Sequence, residues 1–415
     1  MEVSQQNSPL PIRAKISPLW TVLAGALGCA VGAGIVVIYV FPIFSVAFAA
    51  EFHWDRSAYS YCLTSFLVAT GFGTVILGFA ISRWGVRYPA VGFVVVFASI
   101  IAAIGVLPPS LPAFCAAFAF LGVAGAAATA MPYAVAISGW FDRNRGLALG
   151  IVNTGAGFGA ALAPQYARYL VAHHDWRTSF FIVAFVVAAI AVPGLAILVR
   201  DPPGVTSPRS TALTVTAGFR RELPFLRDSS FWFIGLLILA LSIATFGVMG
   251  SLVPFLKDHN IAGGTVADVL SIAGIASWIG RLLTGYLLDR VFAPHLAAAV
   301  VCCALLGLGL LVQGGADISI SAGAALVGAT LGAEGDLVAF MVSRYFSLAS
   351  FSKVVGAMWV MWAWGGGIGS YMAGTIFRAM NSYNLAFGLF AILLAAAGLG
   401  ICRIGAYRFP REQRP

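Results

Sequence analysis

The chain has 415 residues, 60% of them hydrophobic and 9% charged, with a mean hydropathy of +0.94. A soluble domain carries about 25% charged residues, so the composition indicates a polytopic membrane protein. The formal net charge of +9 could suggest a nucleic-acid partner, but the placement of the cations along the chain suggests membrane topology instead, and no nucleic acid is expected.

Residues 1–18 are a polar tail holding Arg13 and Lys15. The first apolar run, from Leu19 to Phe48, is long enough to span and is not followed by a cleavage site, so no signal peptide is expected. Unbroken apolar runs such as 91–107 favour helices over a barrel, whose strands would alternate polar and apolar. Twelve spans are expected at 19–48, 57–81, 88–108, 111–139, 146–170, 178–199, 230–256, 265–288, 294–313, 319–342, 354–379 and 383–404. The fold class is therefore all-α, two six-helix bundles at 19–199 and 230–404. A polar linker at 200–229, with Pro202, Pro203, Pro208 and five arginines, separates them, and 405–415 form a C-terminal tail. The six cysteines all fall in apolar spans, so neither a disulfide framework nor a metal site is expected. Of the 24 Lys and Arg, 18 lie in the tails, the linker and the connections on the same side, while five (Arg56, Arg168, Arg177, Lys257, Arg378) lie opposite. The positive-inside rule then places both termini in the cytoplasm and the spans in a cell inner (plasma) membrane.

The two halves repeat. Gly78-x-x-x-Ser82-Arg83-x-Gly85-x-Arg87 closes span 2, and Gly285-x-x-x-Asp289-Arg290 closes span 8, 207 residues later. Ser138-Gly-Trp140-Phe141 and Ser343-Arg-Tyr345-Phe346 end spans 4 and 10, 205 apart; Gly155-x-Gly157-x-Gly159 and Gly365-x-Gly367-x-Gly369 lie in spans 5 and 11, 210 apart. Three landmarks at nearly one spacing indicate a duplicated six-helix unit, with a substrate site between the halves near mid-membrane.

These landmarks resemble the major facilitator superfamily, whose Gly-x-x-x-Asp-Arg-x-Gly-Arg loop signature matches Gly78, Arg83, Gly85 and Arg87. Ser82 replaces the usual Asp, which the second copy keeps as Asp289. A narrower resemblance, to the monocarboxylate transporter and oxalate–formate antiporter branch, rests on the run from Trp140 through Arg145 to Gly150, on Tyr39-x-x-Pro42 and on Gly332-Ala-Glu334-Gly-Asp336. It also rests on an Arg four residues before the span 8 glycine. The resemblance implies a carrier that works by alternating access, with spans 1, 4, 7 and 10 around the cavity. The signature residues, with Arg145, would act as conformational gates, and Asp289 and Arg290 as part of a cytoplasmic latch.

Three charges lie deep in the spans: Arg281, Glu334 and Asp336. An arginine well inside the hydrocarbon core costs at least about 2.5–3.5 kcal/mol and marks a functional site by default. Its planar fork matches a carboxylate bidentately, and the resemblance gives this position to the substrate carboxylate. The competing reading is a structural ion pair with Glu334 or Asp336. Both acids are candidates for proton coupling, with Glu334 expected nearer the depth of Arg281. In animal-type monocarboxylate transporters the proton-linked Asp lies one turn before this Arg, where Ser277 stands here. No second cation matches the one in the antiporter's span 11, where Met358 lies, so a monocarboxylate fits better than a dicarboxylate. Tyr39 and Tyr133 are candidate pocket residues, with packing as the alternative. The expected partners are a small carboxylate, protons and the lipid bilayer, with no cofactor and a monomeric chain. No nucleotide-binding loop occurs, which disfavours ATP-driven transport, and no catalytic constellation suggests an enzyme. Efflux of amphipathic compounds leaves Arg281 unexplained. A non-transporting sensor would need a signalling module that the linker lacks.

Overall fold

The computed structural model describes residues 18–54, 58–140, 145–199, 224–258, 263–288, 290–313, 317–346 and 348–408, and every regular element among them is a helix. The twelve expected spans are all present. Among the described residues, ten are long and apolar enough to cross a membrane. The other two, Arg145–His173 and Leu348–Met380, are as long but carry the two glycine runs. Both described chain ends, at 18 and 408, lie on one face, called proximal below; the opposite face is distal. Most of the linker, residues 200–223, lies outside the described residues, as do Arg56 and Asp289.

Each bundle is held by its own helices, and the two meet along two seams: span 5 against span 8, and span 2 against span 11. The glycine runs divide their work between these surfaces in the same way in both halves. A Cβ on Gly155 or Gly159 would strike the backbone of Ala26 or Ala30 in span 1, and one on Gly365 or Gly369 would strike the backbone of Leu239 or Ile243 in span 7. Those outer glycines let the helices of one bundle touch. The middle glycines face the other bundle: Gly157 abuts Trp278 of span 8, and Gly367 abuts Val68 of span 2. Gly71 also lies on a seam, against Trp364, whereas Gly73 packs on Val123 of span 4 within its own bundle.

The cross-bundle contacts of the described residues cluster in the distal half. Gln165 donates to Asp268 (2.8 Å) and Ser271 (3.2 Å), and Arg168 faces Asp268 at 4.0 Å. On the other seam Thr64 donates to the Gly367 carbonyl (3.0 Å), Ser370 to that of Ser60 (3.1 Å), and Arg378 to the Tyr61 hydroxyl (3.3 Å). Arg168 and Arg378 are 210 residues apart, and Tyr61 and Asp268 are 207 apart, so the two clasps are repeat-related. Toward the proximal face, a Cβ on Gly150, Gly285 or Gly356 would meet nothing within 4 Å, and Leu282, Leu283 and Tyr286 are exposed. The pair of bundles is thus closed distally and splayed proximally.

Spans 1 and 4 are broken at matching points. Span 1 runs as Pro18–Ala30, a single extended residue at Gly32, then Ala33–Ile35, a π segment Val36–Val40 and the helix Phe41–Phe52. Span 4 passes from Leu111–Gly125 through a 3-10 turn to an extended Thr129 before Ala130–Trp140. Gly32 leaves no room for a side chain beside the Ala128 carbonyl, and the Thr129 hydroxyl donates to the Ala126 carbonyl (2.8 Å) and accepts from the Met131 amide (3.2 Å), satisfying backbone groups on both sides of the span 4 break. The π segment has its own cause. Pro42 cannot donate to the preceding turn, and the Tyr59 hydroxyl of span 2 donates to the freed Val37 carbonyl. Spans 7 and 10, their counterparts, run unbroken as Ser229–Asp258 and Asp317–Tyr345.

Candidate functional site

Spans 8 and 10 run in the same direction, from distal to proximal, and pack closely through glycine. A Cβ on Gly328 would strike Ala273, and one on Gly332 would strike Ser277. These pairs share one register, 55 residues apart, and the next turn of that register pairs Arg281 with Asp336. The register therefore brings Asp336, not Glu334, level with Arg281, and the charge of Arg281 acts on Asp336. Glu334 lies two residues earlier, about 200° around the helix, and faces away from that site. Charge spacing along the sequence cannot reveal this, because it depends on where two other helices touch.

Arg281 is half-buried on the span 5–span 8 seam side of its bundle. Its charge also reaches Cys29 and Tyr39 of span 1, on either side of the Gly32 break, and the Tyr39 phenol faces Ser277. The site thus draws on both bundles: a break and a π turn from one, a cation and a carboxylate from the other. Among the described residues no carboxylate lies within ion-pair distance of Arg281. The simple structural pair with Glu334 or Asp336 is therefore not formed in this conformation.

Glu334 is fully buried, and its partners are Thr245 of span 7, whose hydroxyl lies 2.8 Å from Oε1, and Trp362 of span 11, whose indole N–H donates to Oε2 at 2.7 Å. Trp362 is held in turn by an edge-on contact with Phe246 (5.0 Å), and Ser242 donates to its carbonyl (2.5 Å). Sequence reasoning left Thr245, Ser242 and Trp362 unremarked. The available signal was weak: Ser242 and Thr245 stand three apart in the interior of span 7, a helix expected to line the cavity, but Ser251 lies there as well.

The remaining sequence candidates fall as follows. Tyr39 is buried with its hydroxyl at the site. Tyr133 is 1% exposed, and its ring packs on Gly25 and Gly28 of span 1 at the span 1–span 4 contact. Gly78 lies near Met131. Gly85 has φ 80°, a left-handed turn that a side chain would strain, and it ends span 2 beside exposed Arg83, which stacks near Trp84. Arg87 begins span 3. Gly285 faces open space, and Arg290 stacks on Tyr286 at 3.6 Å. Arg145 begins span 5, but its side chain, like Asp289, lies outside the described residues.

A twelve-span helical bundle pair with a polar site on its inter-bundle seam defines a membrane transporter. The Major Facilitator Superfamily model matches residues 26–370, and the chain belongs to that family; it is a multi-pass transporter and not an enzyme. It is 30% identical to the uncharacterized transporter YcxA of Bacillus subtilis over 60% of this chain and 60% of that protein. It is 25% identical to monocarboxylate transporter 13 of Bos taurus over 88% of this chain and 84% of that one, and 25% identical to monocarboxylate transporter 11 of Mus musculus over 81% and 76%. In fold it is similar to a bacterial homolog of the human lysosomal transporter Spinster in an inward-facing, occupied conformation (TM-score 0.68, 15% identity, 96% of this chain and 97% of that chain). It is similar also to a mutant form of the nucleoside transporter NupG (TM-score 0.72, 13% identity, 93% and 99%).

Proposed function

We propose that the chain is a secondary transporter of a small organic anion, a monocarboxylate by preference, working by alternating access between two six-helix bundles. The observation that carries this reading is Arg281: a guanidinium inside a span, half-buried, facing Tyr39 of the other bundle, with no carboxylate within ion-pair distance among the described residues. Such a cation invites an anion, and its fork suits a carboxylate. Tyr39 and Ser277 supply hydroxyls at the same place, and Asp336 is the counter-charge that Arg281 faces when no anion is bound. The monocarboxylate transporters among its relatives agree with this reading. Efflux of amphipathic compounds gains no support from a site organised around one cation.

With the proximal face as cytoplasm, the structure is the inward-open state in a cell inner (plasma) membrane. The distal clasps at Arg168–Asp268 and Arg378–Tyr61 are then the closed outer gate. The signature loops carrying Gly78, Arg83, Gly85, Arg87, Gly285, Asp289, Arg290 and Arg145 form an inner gate that engages in the outward-open state. Transport is coupled to protons through an intramembrane carboxyl. The test is uptake of labelled short-chain monocarboxylates, from acetate to hexanoate, into proteoliposomes with and without an inward proton gradient. Saturable uptake that their uncharged amides do not inhibit supports the reading, and uptake equal to that of protein-free liposomes for every acid contradicts it.

A further inference from the structure

Thr245 Oγ1 has three acceptors within reach: Leu241 O at 3.0 Å, Ser242 O at 3.5 Å and Glu334 Oε1 at 2.8 Å. A hydroxyl has one hydrogen and can accept as well as donate. Two arrangements therefore satisfy the cluster with the same heavy-atom positions. In one, Glu334 is ionised and accepts from both the Thr245 hydroxyl and the Trp362 indole. In the other, Glu334 carries a proton on Oε1 and donates it to Thr245 Oγ1, while the Thr245 hydrogen turns to Leu241 O and Trp362 still donates to Oε2. A carboxyl whose neighbours are all donors would lose a bond on protonation; one with Trp362 as its only partner would have nowhere to direct its proton. The threonine supplies a partner that reverses role.

Among the described residues no cation completes the cluster. Arg281 of span 8 faces Asp336, and Cys303 of span 9 turns to Leu326 O at 3.7 Å. Lys257 and Asp258 end span 7, Asp317 and Arg344 lie at the two ends of span 10, and Lys353 and Arg378 lie near the two ends of span 11. An ion at full burial with only neutral donors is costly, so the closed cluster holds the proton. It releases the proton only when bundle movement admits water.

We propose that Glu334, Thr245 and Trp362 form a proton site distinct from the Arg281–Asp336 anion site, with Thr245 as the positioning residue that switches between donor and acceptor. On release, the proton passes from Glu334 Oε1 to an entering water, forming hydronium, and the Thr245 hydrogen swings from Leu241 O to Oε1. Uptake is the reverse. Because the site ties span 10 to spans 7 and 11, a change of protonation is felt by three helices of one bundle.

Two measurements test this, only one of which depends on the transport reading above. Infrared difference spectra of the purified protein across a pH titration, with no substrate present, should show the carbonyl band of a buried carboxylic acid that disappears in Glu334→Gln. Thr245→Val should shift that band, because the acid loses its acceptor, and Thr245→Ser should restore it. In proteoliposomes Thr245→Val should lower gradient-driven accumulation about tenfold, the effect of one lost hydrogen bond to a charged group, while counterflow exchange stays within about twofold. Should Thr245→Val fail to assemble, Trp362→Phe replaces it: it removes the Oε2 donor and should shift the same band. A band indifferent to these variants, or a Thr245→Val that lowers exchange and accumulation alike, overturns the proposal. If no carboxylate is carried by the wild type, the spectra still decide the proton site, and only the substrate reading fails.

Discussion

The middle glycine of span 5 separates two roles that packing gives to one motif. A Cβ on Gly157 would fall among the Cβ, Cγ and Cδ1 atoms of Trp278. Those atoms lie at the root of the side chain, so no rotation of the indole about its outer bonds makes room, and span 5 must move away from span 8. Overpacking of this kind costs about 1–3 kcal/mol, here charged only to the conformation in which the distal seam is closed. At about 1.4 kcal/mol per tenfold, Gly157→Ala should shift the balance from proximal-open toward distal-open by roughly five- to a hundredfold. Gly155→Ala meets the Ala26 backbone inside the same bundle, so its cost falls on every folded conformation and should appear as lowered thermal stability without a shift in balance. The assay is a spin-label distance between Ile151→Cys and Leu283→Cys, both exposed across the splayed proximal end, in a background without the native cysteines. The distance should shorten in Gly157→Ala and stay at the wild-type value in Gly155→Ala. Identical behaviour of the two variants would refute the division of the motif into seam and bundle glycines.

Further expectations concern other parts of the molecule. Cysteine probes placed along 200–229 should react with an impermeant reagent only from the cytoplasm; labelling from outside intact cells would reverse the orientation. Tyr59→Phe leaves the buried Val37 carbonyl without its donor, which should cost about 1–3 kcal/mol and lower the melting temperature; an unchanged melting temperature would mean the π turn does not need this bond. Glu51, outside the membrane core, is held below the usual carboxylate range mainly by the Trp176 indole N–H and also by Arg177. Its contribution is present above the ordinary carboxylate range and fades as pH falls through its lowered value, so wild type and Glu51→Gln should differ in melting temperature at neutral pH and converge in acid. A constant difference at all pH values would mean that the contacts of Glu51 with Trp176 and Arg177 do not depend on its charge.

The architecture was legible in the sequence because hydrocarbon forces it. Twelve apolar runs of spanning length have one helical solution, and the observed helices end within a few residues of the expected bounds except at the start of span 11, where Leu348–Met380 begins six residues early. The two seams, span 5 against span 8 and span 11 against span 2, are related by the same repeat. Less could be read of the site. Asp336 lies level with Arg281 because Gly328 and Gly332 set the register of spans 8 and 10, and a pairing register between helices distant in sequence leaves no periodic trace in either. The surroundings of Tyr133 were hidden for the same reason: an aromatic in a span can face the cavity or its neighbour, and the room that Gly25 and Gly28 make on span 1 shows only in the packing. Thr245 was easily passed over because a threonine in an apolar helix usually bonds its own backbone, and this one does that as well as meeting Glu334.

The central claim is that Arg281 grips a carboxylate through its fork. Binding of short-chain monocarboxylates to the purified protein, followed by titration calorimetry, tests it directly on wild type, Arg281→Lys and Arg281→Gln. Lysine keeps the charge and loses the paired donors, so Arg281→Lys should weaken binding at least about tenfold, one lost charge-assisted hydrogen bond, and Arg281→Gln should abolish it. Wild-type affinity in Arg281→Lys would show a charge-balancing residue and contradict the claim.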